Sequence, residues 1–462
     1  MKLNRIWSGA LGTMLLLSAA ACGSEAANIP PAVGGGTQPA TAATTLAAAT
    51  EAVSTEAAAS EAAAAEALPD ALSNPDLHII YWRSERNYKT EKVRAPNLFD
   101  GVWEAKPLFE EKYGGTVNIE YVEWNSMLAR MAELQAAGQA PDLIEVYDRV
   151  MHNMIFQGSI MPLSDYVTDS DFAFWDVDRE LFSWKGVPYA IPWKPYLTSL
   201  VFNRDLLDLY GLEMPDELYK RGEWTFDKFA EMIKTTTRYT DGEAESMGYG
   251  SWEGEGMSRL LVANGASFID VDTVNGTAVS GFDNQAMIDT LDWMRTWSSA
   301  PQSAWAKNDT MFDYFEVGNL AFIDGVEYGN NEFAFDIGMV PYPKGPNSAV
   351  EKPVVVMPQG MAVPNGAKNP EGAVTFMRML NENWATAGNE LEANLIGQEY
   401  FDMIYNDPAS EMVYAFDKAT ENIDRITGTV ANLLDGNTPA STIAEQLNPE
   451  HKAAIDLIYS GK

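Results

Sequence analysis

The chain has 462 residues, with 31 Lys and Arg against 66 Asp and Glu, a formal net charge of −35. Such a surface lacks the basic footprint that phosphate backbones require, so nucleic acid is excluded as a partner, and anionic lipid finds no polybasic patch. Three histidines (His78, His152, His451) and a single cysteine cannot build a Cys/His zinc cluster, and no metal or cofactor is expected.

Lys2 and Arg5 precede an apolar run over residues 10–21. That is the layout of a secretory signal peptide (1–21), and the run falls short of the roughly 20 apolar residues of a membrane span. Ala19-Ala20-Ala21-Cys22 resembles a bacterial lipobox, whose cysteine is acylated and becomes the new N-terminus. An ordinary signal peptide with an incidental cysteine is the alternative. Residues 22–73 are mostly Ala, Thr, Glu, Ser and Pro, with no aromatic residue. They carry too little apolar surface to offset their ordering entropy and read as a disordered tether spanning roughly 40 Å.

The remaining stretch of roughly 390 residues exceeds one ordinary core and implies two domains. "DLHIIYWRS" reads as a buried strand, and residues 86–100 as an irregular insertion. A helix then ends at Gly114, with Pro107 setting its start or kinking it. "TVNIEYVEW" is a second strand, "SMLARMAELQAAG" a helix closed by Gly138, and "PDLIEVYD" a third strand. This β-α-β-α-β order implies a parallel sheet with ligands beyond the carboxyl ends of its strands. Those ends are Trp82-Arg83, Trp124 and Tyr147-Asp148-Arg149.

Pro188, Pro192 and Pro195 keep the next segment extended, before a strand "TSLVFN" and a helix closed at Gly211. Thr225 caps a helix with Phe226, Phe229 and Ile233 on its apolar face. "MGYGSWEGEG" reads as a strand end running into a Gly-rich loop that displays Trp252 and Glu253. "DVDTVNG" fits a hairpin turn better than a calcium loop, because position twelve lacks its acid. Asp283 is expected to cap the following helix. "LAFI" is a strand leading to a loop with Asp324, Glu327 and Tyr328, "PVVVMPQGMAVP" is another strand, and Asn369-Pro370 opens a helix. Trp224, Trp293, Trp297, Met127, Met131 and Met377 lie in helical patterns and read as core.

The chain is rich in flat rings, with 13 Trp, 19 Tyr and 19 Phe. Aromatics interleaved with Asp, Glu and Arg at strand ends suit a sugar, whose apolar C–H face stacks on a ring while its hydroxyls take charge-assisted hydrogen bonds. The alternative for Trp82 and Trp193 is a core ring at a strand end, and for Asp148-Arg149 a surface pair or helix cap.

In collinear order, "APDLIEVYDR", "GVPYAIPW", "RDLLDLYGL", "EWTFDKFAEMIK", "MVPYPKG" and "MAVPNGAKNPEGAVTFMRML" resemble the bacterial extracellular solute-binding proteins that feed sugar ABC transporters, the maltose-type family. The resemblance implies an α/β, two-lobed periplasmic-binding-protein-like fold of type II with the ligand in the cleft between lobes. Lobe 1 would take residues 74–189 and 353–403, and lobe 2 residues 190–352 and 404–462. Crossings would fall near 189–193 and 353–359, with a return near 400–410. By position, it implies ligand contacts at Trp82, Arg83, Tyr147, Asp148, Arg149, Trp193, Tyr196, Trp252, Glu253, Asp324, Glu327, Tyr328, Met357 and Gln359. It further implies a binder without catalytic role that hands a carbohydrate to permease subunits, while the acidic excess suits a monomer and the lipobox and tether suit a lipid anchor at Cys22 outside a Gram-positive cell. A secreted glycoside hydrolase and a ligand-presenting sensor or adhesin subunit are the competing readings. The ligand could equally be a polyol, a phosphorylated glycerol or a peptide.

Overall fold

A computed structural model describes residues 67–94, 100–147, 150–173, 179–193, 196–325, 333–384, 397–414 and 423–459, with only the backbone of 91–94, 173, 196 and 197. The leader, Cys22, Asp148, Arg149, Glu327 and Tyr328 lie outside the described residues, as does most of the tether.

Strands Leu77–Tyr81, Val117–Tyr121 and Leu143–Tyr147 are joined by helix-bearing connections and pair in parallel, with the first strand in the middle. Two further strands complete this sheet. Gln359–Ala362 pairs antiparallel with Leu143–Tyr147, and Ala190–Pro192 pairs antiparallel with Gln359–Ala362. Helix Met127–Ala136 buries Met127, Met131 and Leu134. Helix Gly101–Tyr113 buries Val102, Ala105 and Phe109, and Phe109 meets Phe376 of helix Pro370–Asn383 edge-on at 5.6 Å. Pro107 sits inside the first of these helices, whose cap is Asp100. Residues Glu85–Arg94, expected to be irregular, form a helix of their own.

The second sheet runs Trp305–Lys307, Glu243–Ser251, Leu320–Asp324, Leu200–Asn203, Ile337–Val340. Its core takes Phe226, Phe229 and Ile233 from a helix capped by Thr225, together with the buried faces of Glu253–Ala263, Gln285–Ser298 and Ile423–Asp435. Trp224 and Trp297 are buried here, as expected. The cap of Gln285–Ser298 is Asn284 rather than Asp283, because the Asn284 side chain accepts from the Ala286 N–H. Ile269–Asp272 and Thr277–Ser280 form the expected hairpin, its turn held by Asp272.

Strand pairing moves the expected boundaries. Ala190–Pro192 belongs to the first sheet, within the span 189–193 where the first crossing was expected. Lys352–Met357 joins Tyr196–Leu197 and Ser410–Tyr414 in a separate three-stranded sheet whose Val354 and Val356 pack with Val201, Met247 and Ile323 of the second sheet. Lys352–Met357 and Gln359–Ala362, on either side of Pro358, thus belong to different sheets. Tyr400 and Met403 also pack with the second half. At the other end, packing on the first core reaches back before residue 74. Leu68 and Leu72 pack against the first core, the Tyr113 hydroxyl donates to the Pro69 carbonyl, and Asn369 Nδ2 donates to the carbonyls of Asn74 and Asp76.

Helix Ala440–Tyr459 touches both cores. His451 sits against Phe268 and Phe282, while Tyr459 reaches the first core, its hydroxyl 3.1 Å from His152 Nδ1 and its ring against Phe156 and Trp184.

Two outcomes follow from this packing. Asn369 caps helix Pro370–Asn383 and also ties down the segment before Leu77, so Asn369→Ala costs about 2 kcal/mol, the upper end for a lost cap, in urea denaturation. Burial holds the His152 imidazole neutral, with its pKa pushed down from 6.5 to about 3. The unfolded chain takes up that proton first, so this stability is present above pH 6.5 and drains away as pH falls toward 3. A His152→Phe variant loses less melting temperature than the native chain when acidified from about pH 7 to about pH 4.

Candidate functional site

The carboxyl ends of the three parallel strands and of Ala190–Pro192 carry four rings. Trp82 follows Leu77–Tyr81, Trp124 opens the turn after Val117–Tyr121, and Tyr147 ends Leu143–Tyr147. Trp193 follows Ala190–Pro192, its N–H donating to the carbonyl of Gln359, which in turn registers with Tyr147. Trp124 stacks on Tyr147 at 4.5 Å and 19°. Trp82 stands edge-on to Trp124 at 6.0 Å, and Tyr81 bridges Trp82 and Trp193 at 5.9 and 6.0 Å. Trp82, Trp124, Tyr147 and Trp193 are all partly buried against the first core. They form a half-open aromatic face.

Trp124 stood at a strand end in the sequence but not among the expected contacts. Its signal was position alone, one loop beyond the second strand.

Arg83 does not project from this face. Its guanidinium lies 4.9 Å from the Trp82 ring centre and 3.3 Å from Asp100. Asp100 also receives the Tyr81 hydroxyl and caps helix Gly101–Tyr113 through the N–H groups of Val102 and Trp103. Burial raises the Asp100 pKa, opposed by Arg83 and those hydrogen bonds. Arg83 is thus the counter-charge of a buried carboxylate that sequence reasoning missed.

The second half presents Trp252, 45% exposed, at the end of Glu243–Ser251. The expected Gly-rich loop is instead helix Glu253–Ala263, with Trp252 at its N-cap and edge-on to Phe312 at 6.2 Å. Its glycines answer packing. A Cβ on Gly256 would run into Ser251 and Tyr249, and one on Gly254 would crowd Thr427. The Glu253 N–H donates to Asn308 Oδ1, and its carboxylate lies beside Gly428 of helix Ile423–Asp435.

Asp324 also departs from expectation. It is 4% exposed, still within its strand, and paired with Arg259 of the Trp252 helix. Arg259 Nη2 lies 3.6 Å from Met357 Sδ, so the pair ties that helix, the strand and the second crossing together. Met357 and Gln359 flank Pro358, and Tyr196 registers with Met357. The structure therefore brings Trp82, Tyr147, Trp193 and Gln359 to one sheet edge, and Trp252, Glu253 and Met357 to elements of the second half. Arg83 and Asp324 it assigns to internal ion pairs.

Among the described residues, Asp216, Glu217 and Glu399 lie close enough to hold a cation. Arg204 pairs with Asp216, and Lys220 with both glutamates, so each carboxylate already has a protein cation beside it.

Removing one partner of a buried ion pair strands the other. Asp324→Ala therefore lowers unfolding free energy by about 3–5 kcal/mol, measured by denaturant titration.

The chain matches the family described as Bacterial extracellular solute-binding protein over residues 93–386. No curated protein sequence matches it. Among solved structures, a cyclo/maltodextrin-binding protein complexed with maltotetraose aligns with TM-score 0.61 and 16% identity, over 85% of this chain and 99% of the other. UgpB from Mycobacterium tuberculosis in complex with glycerophosphocholine aligns with TM-score 0.61 and 14% identity, over 84% and 99%. ABC substrate-binding protein Lmo0181 from Listeria monocytogenes in complex with cycloalternan aligns with TM-score 0.60 and 15% identity, over 82% and 98%.

Proposed function

The chain belongs to the family of bacterial extracellular solute-binding proteins, and from that premise we propose that it captures a carbohydrate, an oligosaccharide by preference, and delivers it to an ABC importer. The observation that carries this reading is the aromatic face at the strand ends, where Trp124 stacked on Tyr147 meets Trp82 edge-on. Large rings left half-open at the ligand-bearing edge of a parallel sheet are informative, because apolar side chains of that size are normally covered. Trp252, 45% exposed, offers a second flat surface from the other half. Proteins of the same fold hold maltotetraose and cycloalternan.

In this reading Trp82, Trp124, Tyr147, Trp193 and Trp252 stack on sugar rings, and Gln359 and Glu253 serve the hydroxyl rim. Asp148, Arg149, Glu327, Tyr328 and Tyr196 supply further contacts. The two crossings at residues 193–196 and 357–359 act as the hinge. Ligand favours whichever arrangement of the halves contacts it on both sides, and the permease reads that arrangement. The protein acts as a monomer and a binder rather than an enzyme. Acylation of Cys22 holds it outside the cell, with the residues up to about 66 as tether.

Thermal shift against a panel of oligosaccharides tests this, with chromatography of each mixture afterwards. A ligand at 100 times its dissociation constant adds about 2.7 kcal/mol. Trp124→Ala and Trp252→Ala each weaken that ligand about tenfold, equivalent to about 1.4 kcal/mol. Sugar breakdown would make the protein a hydrolase, and a panel without any shift would remove the carbohydrate reading.

A further inference from the structure

Trp252 occupies a place in the chain where tryptophan is a poor local choice. It is the N-cap of helix Glu253–Ala263 and makes no side-chain capping bond. Caps are normally Ser, Thr, Asp or Asn, whose side-chain oxygen accepts an N–H that the first turn leaves open. An indole has a donor and no acceptor, so it cannot serve in this way. The ring is also 45% exposed, so burial in a core does not account for it either.

The missing cap comes from a neighbouring strand. Trp305–Lys307 runs parallel to Glu243–Ser251 with Lys307 in register with Ser251, so Asn308 and Trp252 lie side by side just past the carboxyl ends. The Asn308 backbone N–H donates to the Ser251 carbonyl at 3.0 Å. Its Oδ1 accepts the Glu253 N–H at 3.2 Å. Asn308 therefore grips the residue before Trp252 and the residue after it. Ser251 is held a second time, by Trp305 Nε1 donating to its Oγ at 2.9 Å. Asn308 does this with a φ of 54°, a left-handed conformation that asparagine tolerates better than most residues. The same residue opens the next helix. Its carbonyl accepts the Met311 N–H, and helix Thr310–Glu316 sets Phe312 edge-on to Trp252 at 6.2 Å.

We propose that Asn308 is the positioning residue for the ligand contact of the second half: it caps helix Glu253–Ala263 from a neighbouring strand, leaves the N-cap position to Trp252, and holds that exposed ring ready for a sugar. This rests on the carbohydrate reading above. A stacking surface left loose must be ordered when the ligand arrives, and that cost is subtracted from the affinity. A ring whose two backbone neighbours are both bonded to one side chain and its main chain has lost that freedom in advance.

The test measures dissociation constants by calorimetry, using the oligosaccharide that gives the largest thermal shift. The native protein is compared with Asn308→Ala, Asn308→Gly, Asn308→Asp, Trp252→Ala and the double variant Asn308→Ala with Trp252→Ala. Glycine keeps the left-handed backbone but has no acceptor, so it carries the test if the alanine variant folds poorly. Aspartate tolerates the same backbone and still offers an oxygen to the Glu253 N–H. Asn308→Ala and Asn308→Gly should each weaken binding about fivefold, the factor that a lost helix cap represents. Asn308→Asp should recover most of that loss. The double variant should bind no worse than Trp252→Ala alone, because Asn308 acts through that ring. Fluorine NMR of ligand-free protein labelled with fluorotryptophan adds a readout of the ring itself. The Trp252 resonance, identified by its absence from Trp252→Phe, should move in Asn308→Ala and return in Asn308→Asp, while that of Trp124 stays in place.

Native affinity in both Asn308→Ala and Asn308→Gly overturns the proposal and leaves the carbohydrate reading standing. Native affinity in Trp252→Ala does the same. Losses that add in the double variant overturn it as well, since Asn308 would then act apart from Trp252. If Asn308→Asp binds as weakly as Asn308→Ala while its Trp252 resonance is native, the Asn308 amide contacts the sugar itself and the positioning role fails. If no sugar binds the native protein, the carbohydrate reading is overturned and this proposal with it.

Discussion

The arrangement depends on one strand that arrives late in the chain. Gln359–Ala362 inserts between Leu143–Tyr147 and Ala190–Pro192, and both pairings are antiparallel. It closes the first sheet with a segment more than 200 residues downstream of the third strand, a separation whose closure entropy grows only slowly with loop length. Its start registers Gln359 with Tyr147 and accepts the Trp193 N–H. The aromatic face is therefore assembled from four separate stretches of chain, and the crossing at Pro358 lies directly beside it. A single register slip of that strand would turn Met361 and Gln359 to the other side of the sheet.

Several of the cations in this molecule are committed to buried acids. A chain with 66 acidic residues and only 31 basic ones has few cations to give. Arg83 and Arg259 go to buried aspartates, where an unpaired carboxylate would be costly. Arg378 does the same for Asp171, with bonds of 2.7 and 2.8 Å that hold helix Pro370–Asn383 to the first half. Among the described residues, the candidate face is dominated by aromatic rings. That character favours a sugar over an anionic ligand.

Local signals were legible wherever local physics decides. Thr225 and Asn369 cap the helices they were expected to cap, Gly114, Gly138 and Gly211 take the left-handed conformation that ends a helix, and Asp272 holds the hairpin turn. The three parallel strands and the rings at their ends followed from alternation and order. The errors arose where a distant partner sets the outcome. Gly254 and Gly256 look like loop glycines until Thr427, Ser251 and Tyr249 are seen to crowd them. The ion pairs of Arg83 with Asp100 and of Asp324 with Arg259 could not be read from the sequence. Leu68 and Leu72 look like part of a featureless tether until the first core receives them.

The sequence by itself determined the class of this protein: an acidic, aromatic-rich α/β chain behind a leader-like start, with collinear motifs that place it in its family. Those features are carried by residues close together in the chain, through hydrogen-bonding periodicity, caps and turns. Only the tertiary structure decided where the sheets exchange strands, which charges are internal, and that Trp124 joins Trp82, Tyr147 and Trp193 in one face. Each of these depends on groups brought together from far apart, whose burial and pairing energies exist only once the chain has folded.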